Sequence, residues 1–455
     1  MPPIPTSQTP ASVQLVNWIL RPLDYMAANR RRHGDLFLAD WGILNWVFVS
    51  HPEALKAIFT QDTSEAITAP GEPNRILERL LGKHSIIMLD GAEHKQRRKL
   101  IMPPFHGERL KVYADLIRDI THTVMAELTP GQPFRARDVM QQITMRVILQ
   151  AVFGLYEGER FRRLETLLAR RLNMMSSPVA STMVFFPVLQ TNWGEWSPGA
   201  KLAKMAEEID QLLYAEIRER RAAHDADRSD ILSLLLLAQD EDGNGLSDQE
   251  LRDELMTLLV AGHETTATAL AWSLYWCHHH PEIGEKVRQE IHQHDASRDP
   301  LALTKLPYLN AVCSETLRIY PVAMLTFSRK LHQPLELLGY TVPAETKVVG
   351  SIYLLHHRED LYPQPKLFNP DRFLERQFSA FEYMPFGAGA RRCVGAALAL
   401  YELKIVLGTI LSHYDLALAS DRPVAPERRG ITLGMKKGVE MVFQSQRAVV
   451  APALV

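Results

Sequence analysis

The chain reads as a mainly α-helical protein with small β-sheets. Three observations predict this. Helical periodicity dominates residues 108–320, one helical run extends unbroken from Ser247 to Pro281, and short β-like runs appear only at 36–50 and 335–350. No linker, internal repeat or low-complexity block divides residues 1–455, so one domain is expected.

The first ~20 residues, MPPIPTSQTPASVQLVNWIL, are proline-spaced and are expected to be extended. Residues 36–50 (LFLADWGILNWVFVS) read as a strand pair carrying apolar and aromatic positions. The helical middle includes LIRDITHTVMAEL and the segment from Leu202 to Arg221. Segment 240–247 (DEDGNGLS) is a loop by its Gly, Asp and Asn content. Ser247 with Glu250 three positions on makes a capping-box signature. The helical run from there reaches Pro281, about 50 Å of helix at 1.5 Å per residue. A helix of that length crosses a whole domain, which makes its middle a place for chemistry. The short runs at 335–350 (LELLGYTVPAETKVVG) are punctuated by Gly339 and Pro343.

Composition excludes several classes. The 455 residues are 46% hydrophobic and 23% charged, with a net charge of −2, so there is no overall basic footprint for nucleic acid. The local runs Arg30–Arg32 and Arg218–Arg221 read as solvated helix faces. Three cysteines, Cys277, Cys313 and Cys393, make no disulfide framework, and the absence of a C-x-x-C pair removes the usual structural zinc pattern. The N-terminus lacks the charged start and apolar core of a signal peptide, and no uninterrupted apolar run reaches the ~18 residues of a membrane span. A soluble, cytoplasmic protein without a transmembrane anchor is expected.

The strongest chemical signal is FGAGARRCVG, Phe386 to Gly395, ahead of the helical run AALALYELKIVLG. Gly387 and Gly389 permit a tight turn and close backbone approach. Cys393 then meets the positive end of a helix, where backbone N–H groups stabilise a thiolate, a good axial ligand for haem iron. The alternative for any single cysteine is a small buried hydrophobe. A dinucleotide loop would need a third glycine where Arg392 stands.

At these residues the sequence resembles the cytochrome P450 family. Its haem-binding pattern, F-x-x-G-x-R-x-C-x-G, is filled by Phe386, Gly389, Arg391, Cys393 and Gly395. Other family motifs stand in the expected order. Glu315 and Arg318 match E-x-x-R, and Phe368, Pro370, Arg372 and Phe373 in FNPDRF match F-x-P-x-R-F. The resemblance implies a structural network of Glu315, Arg318 and Arg372 behind the loop that carries Cys393. Ala261-Gly262-His263-Glu264-Thr265-Thr266 match A/G-G-x-D/E-T-T/S. Gly262 would leave room for a diatomic ligand or, alternatively, allow close helix packing. Glu264 and Thr265 supply an acid and an alcohol for proton delivery. His263 would point elsewhere around the helix. His94 and Arg98, at i and i+4, match H-x-x-x-R and are read with Arg329 and Arg391 as partners of the haem propionates. Cys277 and Cys313 match no functional position.

The resemblance covers residues ~30 to 445 and implies the family's fold, with haem between the long central helix and the cysteine loop. It implies haem b with iron, dioxygen as co-substrate, and NAD(P)H electrons delivered by a ferredoxin or flavodoxin and a reductase, in a protein expected to be a monomer. It also implies pocket walls at Ile86 to Met88, Val260 and Ala261, Val322 to Leu325, and Leu433 to Met435, with the Met-rich segment 172–189 either covering substrate access or packing the core. LIMPPFHGERL and VILQAVFGL further resemble a subgroup best represented in cyanobacteria, associated with fatty acids and with terpenoid or other hydrocarbons. Hydroxylation of a long-chain fatty acid is the first expectation, with a terpenoid or other hydrocarbon next; Arg75, Arg79 and Lys83 are candidate carboxylate anchors. A peroxide-using haem-thiolate enzyme and a non-catalytic haem sensor are the competing classes. The intact Glu264 and Thr265 weigh against the former.

Overall fold

The computed structural model describes residues 2–42, 44–175, 194, 197–223, 228, 230–430 and 432–447. The N-terminal expectation needs correction. Residues Ala11–Leu20 form a helix rather than an extended arm. The prolines all lie at or before position 10, so none interrupts the helix, and the Pro10 carbonyl accepts the first free amides, those of Val13 and Gln14. Trp18 from this helix stacks on Trp41 at 5.1 Å, which anchors the N-terminus on the sheet.

The expected strand pair is Leu36–Asp40 and Asn45–Val49, antiparallel with Leu36 opposite Val49. It grows into a five-stranded sheet by pairing over 300 positions. Asn45–Val49 runs parallel to Lys347–Gly350, which pairs with Arg329–Leu331, and that strand pairs with Ile67–Thr68. Leu335–Leu337 and Tyr340–Val342 form their own hairpin.

The long helix spans Asp248–His279, 32 residues. Its start is the capping box read from the sequence: Glu250 N–H donates to Ser247 Oγ at 3.3 Å and Ser247 N–H to Glu250 Oε2 at 2.9 Å. It is buried on most of its circumference, as a helix crossing the core must be. Its main neighbour is helix Ala136–Phe153. Gly262 serves that contact, since a Cβ there would come 2.9 Å from Ile148 Cδ1. Of the two readings of Gly262, helix packing is the one these contacts support.

Two further helices complete the frame. Pro307–Ile319 carries Glu315 and Arg318, and Ala396–His413 comes directly after the cysteine loop. Among the described residues Ala396–His413 is the one helix long and apolar enough to cross a bilayer by length and composition, and most of it is buried in the core. Cys277 and Cys313 are buried small residues, and burial pushes the Cys313 thiol up to about 12.

Candidate active site

The cysteine loop is built by glycine. Gly387 and Gly389 have φ of 69° and 67°, and a Cβ on Gly389 would overlap the Asp62 carboxylate at 2.1 Å. That carboxylate accepts the Ala390 amide at 3.0 Å and Arg329 Nε at 2.8 Å. The Cys393 amide donates back to Phe386 O at 3.0 Å, closing the loop. Cys393 stands two positions before the helix N-cap, Gly395, whose amide donates to the cysteine sulfur.

Cys393 is exposed, yet burial raises its thiol pKa. The two facts agree if its sulfur faces an enclosed void rather than bulk water. The Gly395 amide, Arg98 and Arg392 oppose that rise, each favouring a thiolate. On the long helix Ala261 is likewise exposed, between the half-buried Val260 and Gly262.

Cations gather at this void. Burial is the main cause that lowers His94 to about 3, and Arg391, Arg98 and Arg329 push it further the same way, so its imidazole is neutral at pH 7. Neither the His94 ring nor the Arg98 guanidinium has a hydrogen-bond partner among the described residues, whereas the other two arginines are committed to protein. Arg391 donates to Ala69 O at 2.7 and 3.0 Å and to Ile86 O at 2.9 Å. Arg329 donates to Asp62, Phe327 O at 2.7 Å and Ala388 O at 2.9 Å. Both depart from their reading as propionate partners, because the nitrogens of Arg391 hold backbone carbonyls and those of Arg329 brace the cysteine loop.

Behind the loop, Glu315 accepts Arg318 at 2.6 and 2.8 Å, Arg372 Nε at 3.2 Å and the Asn369 amide at 2.9 Å. Arg318 also reaches His356 O at 2.7 Å, and His356 Nε2 accepts the Met384 amide at 3.0 Å, two residues before Phe386. The predicted triad is therefore physically joined to the cysteine loop. His356 and Asp62 escape sequence reading, since neither has a local pattern.

On the other side of the void, Thr265 Oγ1 donates to Ala261 O at 2.5 Å. Glu264 accepts Arg137 Nη2 and Gln141 Nε2, both at 2.6 Å. His263 points away, buried against Thr144 Oγ1 at 2.8 Å, so it is a core residue.

The expected pocket walls divide. Ile86, Val260, Val322 and Met435 join the main apolar core. The Leu433 amide donates to Val322 O at 2.8 Å, bringing two wall segments together. Leu325 instead packs with Met324 and Leu433 on the N-terminal aromatic cluster, and Met88 is half-buried. Arg75, Arg79 and Lys83 are all exposed. Most of segment 172–189 lies outside the described residues.

The donor set fits an iron porphyrin. It offers a thiol turned toward a void, an amide and cations that stabilise its thiolate, and two uncommitted edge donors, His94 and Arg98, for carboxylates.

The family model described as Cytochrome P450 matches residues 2–441. Cytochrome P450 135B1 of Mycobacterium bovis is 37% identical over 453 residues, covering 99% of this chain and 93% of the relative. Cytochrome P450 135A1 of Mycobacterium tuberculosis is 34% identical over 98% of this chain and 96% of the relative. Among solved structures, the retinoic acid-bound cyanobacterial CYP120A1 superposes with TM-score 0.83 at 23% identity, covering 98% of this chain and all of that one. The haem domain of cytochrome P450DA superposes with TM-score 0.82 at 23% identity over 99% of both chains. Fold and site thus define a haem-thiolate monooxygenase. The chain belongs to the cytochrome P450 family, which uses haem iron and dioxygen with NAD(P)H-derived electrons passed through redox partners.

Proposed function

We propose that Cys393 would hold the haem iron through its sulfur and that the enzyme hydroxylates a lipophilic small molecule, first a long-chain fatty acid and second a terpenoid or other hydrocarbon. The observation that carries the ligand assignment is Cys393 itself: accessible within a desolvated setting, and supported by the Gly395 amide and Arg98. When bound, the haem activates dioxygen for insertion of one oxygen atom into substrate.

This chain's residues supply position, dryness and protons. His94 and Arg98 hold the cofactor edge, and Arg391 fixes the segment behind Ile86 to the cysteine loop. Thr265 holds a hydroxyl proton on Ala261 O and turns it toward the void by rotating about one bond. Glu264 takes a proton at its carboxylate when it leaves Arg137, and passes it inward through Thr265. The apolar side chains of Ile86, Val260, Val322 and Met435 exclude water and suit a hydrocarbon. The neighbouring structure solved with retinoic acid contains a lipophilic carboxylic acid, which agrees with this substrate class. We assign electron supply to a ferredoxin or flavodoxin with its reductase, serving a cytoplasmic monomer.

Two measurements test the reading. Cys393→Ala and Cys393→His are expected to lose the thiolate-type Soret band of the reduced carbon monoxide adduct. A retained band removes Cys393 as ligand. Spin-shift titration against fatty acids, alkanes, terpenes and steroids ranks the substrate classes, and a response confined to terpenes overturns the fatty-acid assignment.

A further inference from the structure

Helix Ala11–Leu20 has two unlike sides. Gln14 and Trp18 are buried, and Leu15 and Trp18 belong to the aromatic cluster that holds Trp41. At 3.6 residues per turn, Val13, Val16 and Leu20 fall within ~60° of one another on the opposite side. They are 46%, 53% and 73% exposed. A single exposed apolar side chain is ordinary, but three in line make a stripe that the described residues leave uncovered.

The stripe is preformed. Ahead of the helix the Leu38 amide donates to Pro5 O at 2.9 Å, and near its end Arg428 Nη1 donates to Trp18 O at 3.2 Å. No part of the helix has to fold when it meets a partner.

Basic charge borders it. Asn17, next to Val13 around the helix, lines a polar pocket of about 330 Å³ together with Arg21, Arg32 and one acid, Asp24. Both arginines are exposed, and neither makes a hydrogen bond or an ion pair among the described residues. Residues 1–34 carry four arginines against that one acid, whereas the whole chain has a net charge of −2. The positive charge is therefore local to this end of the molecule.

An apolar stripe beside free guanidinium groups matches the surface of an anionic bilayer. Valine and leucine enter the acyl boundary while arginines meet phosphates. A second copy of the chain fits worse. Stacking the stripe on itself about a two-fold axis brings the same arginines together, and three side chains fall far short of the ~800 Å² per partner of a stable protein interface.

The helix also stands next to the expected pocket wall. Arg428, which holds Trp18, pairs across a hairpin with Leu433. Leu433 packs in the same cluster as Trp18, and its amide donates to Val322 O.

We propose that helix Ala11–Leu20 docks on an anionic phospholipid bilayer, with Val13, Val16 and Leu20 in the acyl boundary and Arg21 and Arg32 on the headgroups. This goes beyond the monooxygenase reading and holds whichever lipophile is oxidised. Docking sets the wall segment beside the phase in which a lipophilic substrate concentrates.

The test is flotation of the purified holoenzyme with vesicles of phosphatidylcholine alone and of phosphatidylcholine mixed with phosphatidylglycerol. Wild type is expected to bind the mixed vesicles at least fivefold more than the neutral ones, against its own net negative charge. Val13→Ser, Val16→Ser and Leu20→Ser combined should lower binding to mixed vesicles at least tenfold. Arg21→Gln with Arg32→Gln should abolish the preference for mixed vesicles, at roughly fivefold per arginine. All five positions are exposed, so Tm and the haem spectrum should match wild type in both variants. Wild type that floats with neither vesicle overturns the proposal, as does a triple variant that floats like wild type. An anionic preference that survives in the double arginine variant overturns the headgroup role. A wild-type dimer that the triple variant disperses, with no vesicle binding, assigns the stripe to a second copy and also overturns it.

Discussion

Arg137 donates to Glu264 at 2.6 Å, and the acid of the long helix is thereby held on the neighbouring helix, one residue from the hydroxyl of Thr265. Gln141 takes the second carboxylate oxygen, so both oxygens of Glu264 are engaged before any substrate enters. The acid can serve as a proton relay only by exchanging these partners.

Thr265→Ala and Glu264→Gln are expected to keep binding substrate but to uncouple the reaction. Product formed per NAD(P)H consumed should fall several-fold in each. Arg137→Leu leaves a nearly buried carboxylate without its cation and should cost roughly 3 kcal/mol of stability in chemical denaturation. Unchanged coupling in Thr265→Ala removes that hydroxyl from the relay.

Glu315 and Arg318 are both 0% exposed, so their pair has no access to water if broken. Glu315→Gln leaves Arg318 and Arg372 as buried cations and should destabilise the protein by ~3–5 kcal/mol. Because His356 passes the network on to Met384, haem content after purification should fall along with Tm. Normal haem loading in this variant would separate the network from the cysteine loop.

Glu402 is 5% exposed, its Oε1 has no hydrogen-bond partner among the described residues, and burial raises its pKa from 4.5 to about 8. The folded state therefore holds a proton that the unfolded chain releases above pH 4.5. Stability from this group is complete below that pH and is lost as pH rises through about 8. Glu402→Gln should flatten the decline in Tm between pH 5 and 8.5. A decline as steep as wild type would assign it to other groups.

Gly262→Ala gains ~1 kcal/mol of helix propensity but drives a methyl to 2.9 Å from Ile148 Cδ1. The double variant Gly262→Ala with Ile148→Val removes that clash and should be more stable than Gly262→Ala alone. Equal Tm values would mean that Ile148 rotates away freely.

The features legible in the sequence are those held within a few residues. The capping box at Ser247, the positive-φ glycines of the cysteine loop and the Glu315–Arg318 pair each arise from spacing along one element. The N-terminal helix is hidden because the prolines that signal extension lie just ahead of it and not within it. Arg329 is a candidate from its motif position, but its partners cannot be read there: Asp62 lies 267 positions away.

By itself the sequence determined the family and the mainly helical class and nominated the thiol and the acid–alcohol pair, because each is written in short-range order that survives without a fold. Tertiary structure alone decided which charges meet. It set Arg137 on Glu264 and Asp62 on Arg329. A charge's partner depends on which distant segments the core brings together, and its strength on how much water they exclude. Neither quantity exists until the chain has packed.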